Sequence, residues 1–261
     1  MILSSASSLS QPPKRIISLV PSQTELLHYL GLEEETIGIT KFCIHPNKWF
    51  QNKIRVGGTK NIDIQKITDL NPDLIIANRE ENVKEQVAEI ARHFPVWVTD
   101  VPTLEDAYRM IGDIGQLSGK TAEATALESA IKFEFDQLAP PSSPVAACYL
   151  IWKDPYMTIG GNTFINDMMR MAGFKNVFAG QKRYPEVSAA AIKNNGAKVL
   201  LLSSEPYPFK QKHLHELQEQ LPGMVIMLVD GELFSWYGSR LLHSPAYFRE
   251  LGKVLERLEG R

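Results

Sequence analysis

The alternation of short apolar runs with helix-forming stretches constrains this fold more than any other feature of the sequence. Four runs in the first hundred residues have the composition of strands: Arg15–Val20, Thr36–Thr40, Asp73–Asn78 and Val96–Thr99. Because helical stretches alternate with them, we expect a mainly parallel sheet. Such a sheet is covered by helices on both faces. This part of the chain therefore predicts an α/β lobe.

The first helix carries a start signal of its own. Ser22 and Glu25 have the spacing of a capping box, in which the serine accepts a backbone N–H of the first turn and the glutamate reaches back. We therefore expect Ser22 to cap this helix. Leu26 and Leu30 then contribute to its apolar face.

A second set of strand candidates begins after a long helical stretch. That stretch runs from Leu104 to about Leu138, breaks near Ser118-Gly119 and stops at the proline-rich segment Pro140–Pro144. Strand-like runs then return at Val145–Trp152, Lys198–Ser203 and Met224–Val229. We therefore predict an α/β fold with a loose tail at 1–14, an N-terminal lobe at 15–103, a helical connection at 104–144 and a C-terminal lobe at 145–261.

The two lobes show a weak internal similarity. Ile64–Asn78 and Ala189–Ser203 both consist of a helix, a polar break and a strand, at a constant offset of 125 positions. Either the lobes are related, or a common helix–loop–strand unit occurs twice. In both cases the loops at the strand ends could face one crevice, where open α/β sheets bind ligands.

Composition excludes several classes of protein. Lys plus Arg number 28 and Asp plus Glu number 30, a balance that argues against nucleic-acid binding through bulk positive charge. The longest clean apolar run, Val145–Trp152, is far shorter than the roughly 20 residues of a membrane-spanning helix. Met1–Pro13 lacks the basic and apolar regions of a secretory leader. We therefore expect either a cytosolic protein or a chain that begins after a removed leader.

Motifs for catalysis and metal binding are largely missing. The chain has no Gly-x-Ser-x-Gly elbow and no phosphate-binding glycine loop. His213 and His215 do not share a helix face, and we expect them at a solvated helix start. Cys43 and His45 follow a predicted strand, and two interpretations stay open: a packed loop with a buried thiol, or an axial ligand for a metal macrocycle.

Aromatic residues at predicted strand ends are the strongest positive feature. They are Phe42, Trp152, Tyr156, Tyr184, Tyr207, Phe209, Trp236 and Tyr237. Aromatic walls with few polar groups suit a large, flat and partly apolar ligand. Charged residues lie near them in the sequence: Lys60, Arg79, Glu80, Glu205 and Arg240. The alternatives are aromatic side chains that fix the loops by packing and charges that are simply solvated.

At this point the sequence resembles a known family. RIISLVPSQTELLHYLG and VGGTKNIDIQKITDLNPDLIIAN are similar to segments of the cobalamin and iron-siderophore class of periplasmic binding proteins, the substrate-binding subunits of ABC importers. The resemblance implies two α/β lobes joined by a single long rigid helix, with the ligand in the cleft between them. It also implies a non-enzymatic, monomeric protein at the periplasm or cell surface, without a prosthetic group or nucleic-acid partner.

The cobalamin-binding branch of this class suggests a ligand site. By this resemblance Phe42, Trp152, Tyr184 and Glu232 fall at pocket positions of that branch, with Trp236 close by. Together with the charged and aromatic residues identified above, we expect walls formed by Phe42, Trp152, Tyr184, Trp236 and Tyr237, and contacts of Lys60, Glu80, Glu232 and Arg240 with the peripheral polar groups of the ligand. His45 and Tyr207 complete the predicted site, with Cys43 or His45 as candidate axial ligand. Lys60 replaces a pocket tryptophan of that branch, which leaves room for a related corrinoid, a haem or a ferric siderophore.

The resemblance fails at the surfaces expected to contact a permease. Members of the class dock through one exposed glutamate on each lobe, and Gln65 and Ala190 occupy those positions here. Glu34 or Glu186 could substitute for them. A second function class therefore remains open, a cofactor-handling enzyme that uses Cys43 and His45.

Overall fold

The computed structural model describes residues 1–138 and 143–259. Its strands are β1 (Ile16–Ser18), β2 (Thr36–Ile39), β3 (Ile54–Arg55), β4 (Leu74–Asn78), β5 (Val96–Thr99), β6 (Val145–Trp152), β7 (Met157–Thr158), β8 (Phe174–Asn176), β9 (Val199–Ser203) and β10 (Val225–Val229). Its α-helices are α1 (Pro21–Tyr29), α2 (Asn47–Asn52), α3 (Ile64–Leu70), α4 (Lys84–Ile90), α5 (Leu104–Ser118), α6 (Thr121–Asp136), α7 (Phe164–Met171), α8 (Ala189–Asn194), α9 (Gln211–Gln220), α10 (Glu232–Ser235) and α11 (Ser244–Glu259).

The chain divides into two compact α/β units, as the sequence predicted. Unit 1 consists of Met1–Val101, Glu105–Ile131 and Trp236–Arg240. Unit 2 consists of Pro102–Leu104, Lys132–Ser235 and Leu241–Arg261. The short segment Trp236–Arg240 thus belongs to unit 1, although the sequence analysis assigned it to the C-terminal lobe.

The predicted helical stretch forms α5 and α6. They are separated at Gly119, whose φ of +72° is a conformation that glycine adopts without strain. The break therefore lies where the sequence placed it. Of the proline-rich segment predicted to stop the helices, Pro140–Ser142 lies outside the described residues.

Unit 1 is built on a parallel sheet with the strand order β3-β2-β1-β4-β5. From β1 the chain crosses to β2 on one side, whereas from β4 it crosses to β5 on the other. The carboxyl ends of β1 and β4 therefore form a topological switch point, where open α/β sheets leave a crevice for ligands. Ile17, Ile75 and Val96 are fully buried in the core of the sheet.

Unit 2 has the strand order β10-β9-β6-β7, and β8 also pairs with β6. The pairs are parallel except β6 with β7. The crossover from β6 leads to β8 on one side, and that from β9 leads to β10 on the other. The carboxyl ends of β6 and β9 are therefore the switch point of this unit. Cys148, Leu200 and Leu202 are fully buried in its core.

The N-terminal segment is not the loose tail that its serine content predicted. Ile2 forms a parallel bridge with Val96, and the Leu3 amide donates to the Val96 carbonyl at 2.9 Å. The Leu3 side chain is buried. The physical reason is that β5 lies at the edge of its sheet, where unpaired backbone groups accept a further extended segment.

Helix α1 begins differently from the capping-box prediction. It starts at Pro21, with Val20 at the cap and no capping side chain, because proline is pre-organised for the first helical position. Thr24 Oγ1 donates to the Val20 carbonyl at 2.9 Å. Glu25, which was expected to reach back to the cap, pairs with Arg240 instead.

Candidate functional site

Two buried asparagines hold the loop that follows β4 at the switch point of unit 1. Asn78 Oδ1 accepts the backbone N–H groups of Glu80 at 2.8 Å and Glu81 at 3.1 Å. Asn82 Oδ1 accepts the Asn78 N–H at 2.8 Å, and its Nδ2 donates to the carbonyls of Leu19 and Thr59. Because buried polar groups are costly when unpaired, these bonds fix the loop against its neighbours.

This loop places charged groups beside one another. Lys60 Nζ donates to the Glu80 carbonyl at 2.5 Å. Burial raises the pKa of Glu81 and the neighbouring Glu80 adds to the rise, while the Lys60 ammonium opposes it. Lys60 and Glu80 were predicted site residues and the structure brings them together. Glu81 was missed, since a second glutamate in a loop looks like a solvated charge.

Trp236 lies between a histidine and an arginine. Its ring meets that of His45 edge to face at 5.5 Å between centroids, and the Arg240 guanidinium stands 4.8 Å from its centroid. Arg240 also donates to both Glu25 carboxylate oxygens, at 2.6 and 2.9 Å. Trp236 is only 6% exposed and Tyr237 is also buried, so their covered rings support the site and are not open walls.

Phe42, by contrast, presents an accessible ring. It follows β2 and is 51% exposed. Lys41 Nζ lies 5.2 Å from the centre of the ring. Gly58 passes so close that a methyl group in its place would come within 3.1 Å of the ring. The ring is therefore held at the carboxyl edge of unit 1 with much of its surface uncovered.

Cys43 lies in the environment of the packed loop that was one of its two predicted interpretations. Its thiol is completely buried and lies 3.1 Å from Thr24 Oγ1 and 3.2 Å from Thr40 Oγ1. Burial raises its pKa, so the thiolate that metal binding or attack requires is suppressed. Cys148 is also buried and free, with its pKa raised to about 12. The half-buried His45 is the remaining axial-ligand candidate.

An aromatic cluster occupies the switch point of unit 2. Trp152, the last residue of β6, is 41% exposed and meets Tyr207 at 5.6 Å between ring centroids. Tyr207 follows β9 and packs on Phe209 at 4.8 Å. The Tyr207 amide donates to the Ile151 carbonyl at 3.2 Å, which ties the two strand ends together. Trp152 and Tyr207 thus form a pre-arranged aromatic surface.

His213 supports that surface and is not at a solvated helix start, contrary to the prediction. Its side chain is buried, its Nδ1 accepts the Lys210 N–H at 3.0 Å, and its Nε2 lies 3.4 Å from the Tyr207 hydroxyl. Burial lowers its pKa, and the neighbouring Lys153 adds to the effect. The neutral ring therefore caps α9 and fixes Tyr207. Sequence spacing alone does not show that Tyr207 and Phe209 fold over it.

Ser203 at the end of β9 holds the loop that contains Glu205. Its hydroxyl accepts from the Tyr149 hydroxyl at 3.0 Å and donates to the Glu205 carbonyl at 2.5 Å. Ser235 Oγ donates to the Glu205 carboxylate at 2.5 Å. A methyl group on Gly231 would collide with Ser203 Oγ, so only glycine fits there. The loop is therefore packed tightly against its neighbours.

The remaining predicted residues lie in half-buried or exposed positions. Tyr184 is half-buried in a loop whose carbonyls at Arg183 and Pro185 accept from Gly160 and Thr158. Glu232 is half-buried at the start of α10. Gln65 on α3 and Ala190 on α8 are exposed.

The part of the chain that the structure describes contains no cluster of three or more His, Cys, Asp or Glu side chains suited to holding a metal ion. Across residues 1–138 and 143–259, no helix combines the length and the apolarity needed to cross a bilayer.

Two α/β units with exposed aromatic side chains at the carboxyl ends of their parallel strands are typical of a class of ligand-binding protein. The family profile described as periplasmic binding protein matches residues 16–223, and the chain belongs to this family, whose members bind ligands and are not enzymes. The confirmed resemblance also removes the enzyme alternative based on Cys43 and His45.

Named relatives agree with this assignment. The ABC transporter substrate-binding lipoprotein YvrC of Bacillus subtilis is 26% identical over 196 residues, which cover 70% of this chain. The match spans 62% of YvrC, which is less than two thirds of its length. The vitamin B12-binding protein of Vibrio campbellii is 26% identical over 212 residues, which cover 78% of this chain and 75% of the relative.

Solved structures share the fold. The periplasmic vitamin B12-binding protein BtuF of Vibrio cholerae superposes with a TM-score of 0.79 at 20% identity, covering 94% of this chain and 98% of that one. The periplasmic haem-binding protein HutB of the same species gives 0.76 at 18% identity, covering 91% and 98%. Proteins named for different ligands therefore share this architecture, and the fold alone does not select the ligand.

Proposed function

We propose that this protein is the substrate-binding component of an ABC importer and that its ligand is cobalamin or a closely related metal macrocycle. The observation that carries the proposal is the Trp152–Tyr207 pair at the switch point of unit 2. The exposed Phe42 ring supplies a second aromatic surface at the carboxyl edge of unit 1. The name of the Vibrio campbellii relative directs the choice to vitamin B12.

Binding by such surfaces requires no chemistry. A flat macrocycle loses water from its faces when it packs on aromatic rings, and this burial is the main source of affinity. Lys60, Glu80, Glu232 and Arg240 supply hydrogen bonds to the groups at the rim of the macrocycle. His45 and Tyr184 complete the proposed ligand contacts, and Trp236 and Tyr237 support them from beneath.

The proposed setting is the periplasm or the cell surface, with an ABC permease as partner. The exposed positions expected to meet the permease carry Gln65 and Ala190, so the carboxylates of the class are missing there. Glu34 and Glu186 are exposed and stand as substitutes. Charges at the rim of an interface mainly set the association rate. The missing glutamates are therefore expected to change the rate of docking on the permease and to leave ligand binding largely unaffected.

The test is a titration of the purified protein with cyanocobalamin, followed by intrinsic tryptophan fluorescence, with haemin and a ferric hydroxamate in parallel. We expect saturable quenching by cyanocobalamin. Trp97→Phe, on β5, serves as a matched control that retains the quenching, whereas Trp152→Ala weakens binding. If only haemin or only the hydroxamate gives saturable quenching, that compound and not cobalamin is the ligand. No response to any of the three would contradict the proposed function.

A further inference from the structure

The loop after β4 carries an acceptor and a donor at the switch point of unit 1. Asn78 and Asn82 hold the backbone of this loop, and within the described residues the Glu81 carboxylate accepts no side-chain or backbone hydrogen bond. Lys60 points its ammonium at the Glu80 carbonyl and uses one of its three hydrogens there. The Lys60 ammonium, which is exposed, therefore lies on the peptide group that directly precedes Glu81.

Such a pair is complementary to a primary carboxamide. The amide oxygen accepts from an ammonium, and the amide N–H₂ group donates to a carboxylate. A ligand carboxylate satisfies only half of this arrangement, because it accepts from Lys60 but has no hydrogen to offer Glu81. It also places a negative charge beside Glu80 and Glu81, which is unfavourable at short range.

The other cations at this edge already have partners. Arg240 donates to both oxygens of Glu25, and Arg79 pairs with Asp100 at 2.7 Å. Lys41 lies over the ring of Phe42. Among the residues that the structure describes, both arginines named here are thus charge-compensated, which makes this edge less favourable for an anionic ligand such as a dicarboxylate macrocycle.

We propose that Glu81, together with Lys60, determines specificity by selecting a macrocycle whose rim carries uncharged carboxamides over one whose rim carries carboxylates. This inference rests on the proposed function and makes it narrower. A corrinoid carries peripheral carboxamides, whereas haem carries propionates, so the pair distinguishes two ligands that aromatic surfaces alone accept equally. Glu81 acts by hydrogen bonding and by charge, and its removal leaves the aromatic contacts in place.

The test compares cyanocobalamin with its isomeric monocarboxylic acids, in each of which one peripheral carboxamide is hydrolysed. We expect the wild-type protein to bind cyanocobalamin about tenfold more tightly than at least one isomer. Glu81→Gln should reduce that ratio to less than about threefold, because its neutral amide does not repel the acid. Glu85→Gln, an exposed glutamate on α4, is the matched control and should keep the ratio.

The outcomes separate the inference from the proposed function. Tight binding of cyanocobalamin with equal affinity for every isomer would overturn the inference and leave the proposed function standing. An unchanged ratio in Glu81→Gln would also overturn it. Failure of the wild-type protein to bind cyanocobalamin would contradict the proposed function, and the inference with it. Unfolding midpoints that are no lower than that of the wild type in either variant exclude loss of folding as the cause of altered binding.

Discussion

The two units each have a loop at the carboxyl end of an equivalent strand, β4 in unit 1 and β9 in unit 2, but the side chains beside these loops differ in chemistry. Asn78 and Ser203 end equivalent strands, 125 positions apart in the sequence, and each side chain accepts the backbone N–H of the residue two positions later. Above these anchors, unit 1 presents Lys60 and Glu81, whereas unit 2 presents the Trp152–Tyr207 pair. The comparison teaches that buried polar anchors hold both loops in the same way, whereas the side chains beside the anchors differ in chemistry between the two units.

The largest expected effect tests whether the aromatic surface of unit 2 dominates binding. Trp152→Ala should weaken ligand binding about 30-fold or more, because Trp152 is held in place by Tyr207 and such fixed aromatic anchors act as hot spots. Phe42→Ala should cost less, about fivefold, since its ring is only about half covered. Dissociation constants for cyanocobalamin from calorimetric titration measure both changes.

The control is Phe133→Ala on α6, where an aromatic ring is 62% exposed away from the predicted site residues in the sequence. We expect its affinity to equal that of the wild type. Equal losses for Trp152→Ala and Phe42→Ala would mean that the two units contribute alike and would remove the proposed division between them.

The next effect concerns stability and compares the two anchors. Asn78→Ala removes the side chain that bonds to two backbone N–H groups and to the Thr99 carbonyl. We expect the free energy of unfolding to fall by about 2–3 kcal/mol. Ser203→Ala leaves the buried Tyr149 hydroxyl without a partner, with an expected loss of about 1–2 kcal/mol. Urea unfolding measures both.

Asn195→Ala provides the matched control, because this asparagine makes an exposed side-chain bond to the Ala191 carbonyl at the end of α8. Its loss should stay below about 0.5 kcal/mol. A loss for Ser203→Ala greater than that for Asn78→Ala would show that the loop of unit 2 depends more on its anchor than the loop of unit 1.

The parts of this fold that local patterns encode could be predicted. Strands β5 and β6 have the predicted bounds, because each is a continuous β-favouring run between polar or turn-forming residues. The N-terminal caps also follow local chemistry: Asp63 and Ser188 accept the N–H groups of Lys66 and Ala191. Tertiary pairing is not local, so the docking of Leu3 beside Val96 was missed.

The site was predictable as a set of positions but not as a set of contacts. Strand-end aromatics were identified from the sequence, yet Trp152 is exposed and Trp236 is covered by His45 and Arg240. That difference depends on which residues meet in space. Asn78 and Ser203 were missed as anchors, although their shared place at a strand end and their constant offset were a usable signal.

A third comparison uses pH, because the pKa of a glutamate is raised in unit 1, at Glu81, and lowered in unit 2, at Glu216. Burial raises the pKa of Glu81 in the folded state above its ordinary value of 4.5. The folded state is therefore destabilised relative to the unfolded state as the pH rises from 4.5 through the raised pKa, because Glu81 ionises less readily when it is buried. Glu81→Gln should therefore unfold at a higher urea concentration than the wild type at pH 7, with the difference disappearing at pH 4 and below.

Glu216 in unit 2 should behave in the reverse way. Its pairing with Lys153 lowers its pKa below 4.5, so the stabilisation is present above that value and is lost as pH falls through the lowered pKa. Glu216→Gln should unfold at a slightly lower urea concentration than the wild type at pH 7, and at the same urea concentration as the wild type at low pH. A same-sign response in both variants would contradict this assignment.

The smallest expected effect compares the two exposed positions at which the docking glutamates of the class are missing. Gln65 and Ala190 are each the second residue of their helix, and a glutamate there interacts favourably with the helix dipole by about 0.3–1 kcal/mol. Ala190→Glu should gain this amount, helped by Lys193 three positions later. Gln65→Glu should gain almost nothing, because it exchanges a hydrogen bond to Asp69 for repulsion. Thermal unfolding at low salt measures the difference, and 1 M NaCl should abolish it. An equal gain at both positions would show that Asp69 does not oppose a carboxylate at position 65 and that the two helices accept the missing charge alike.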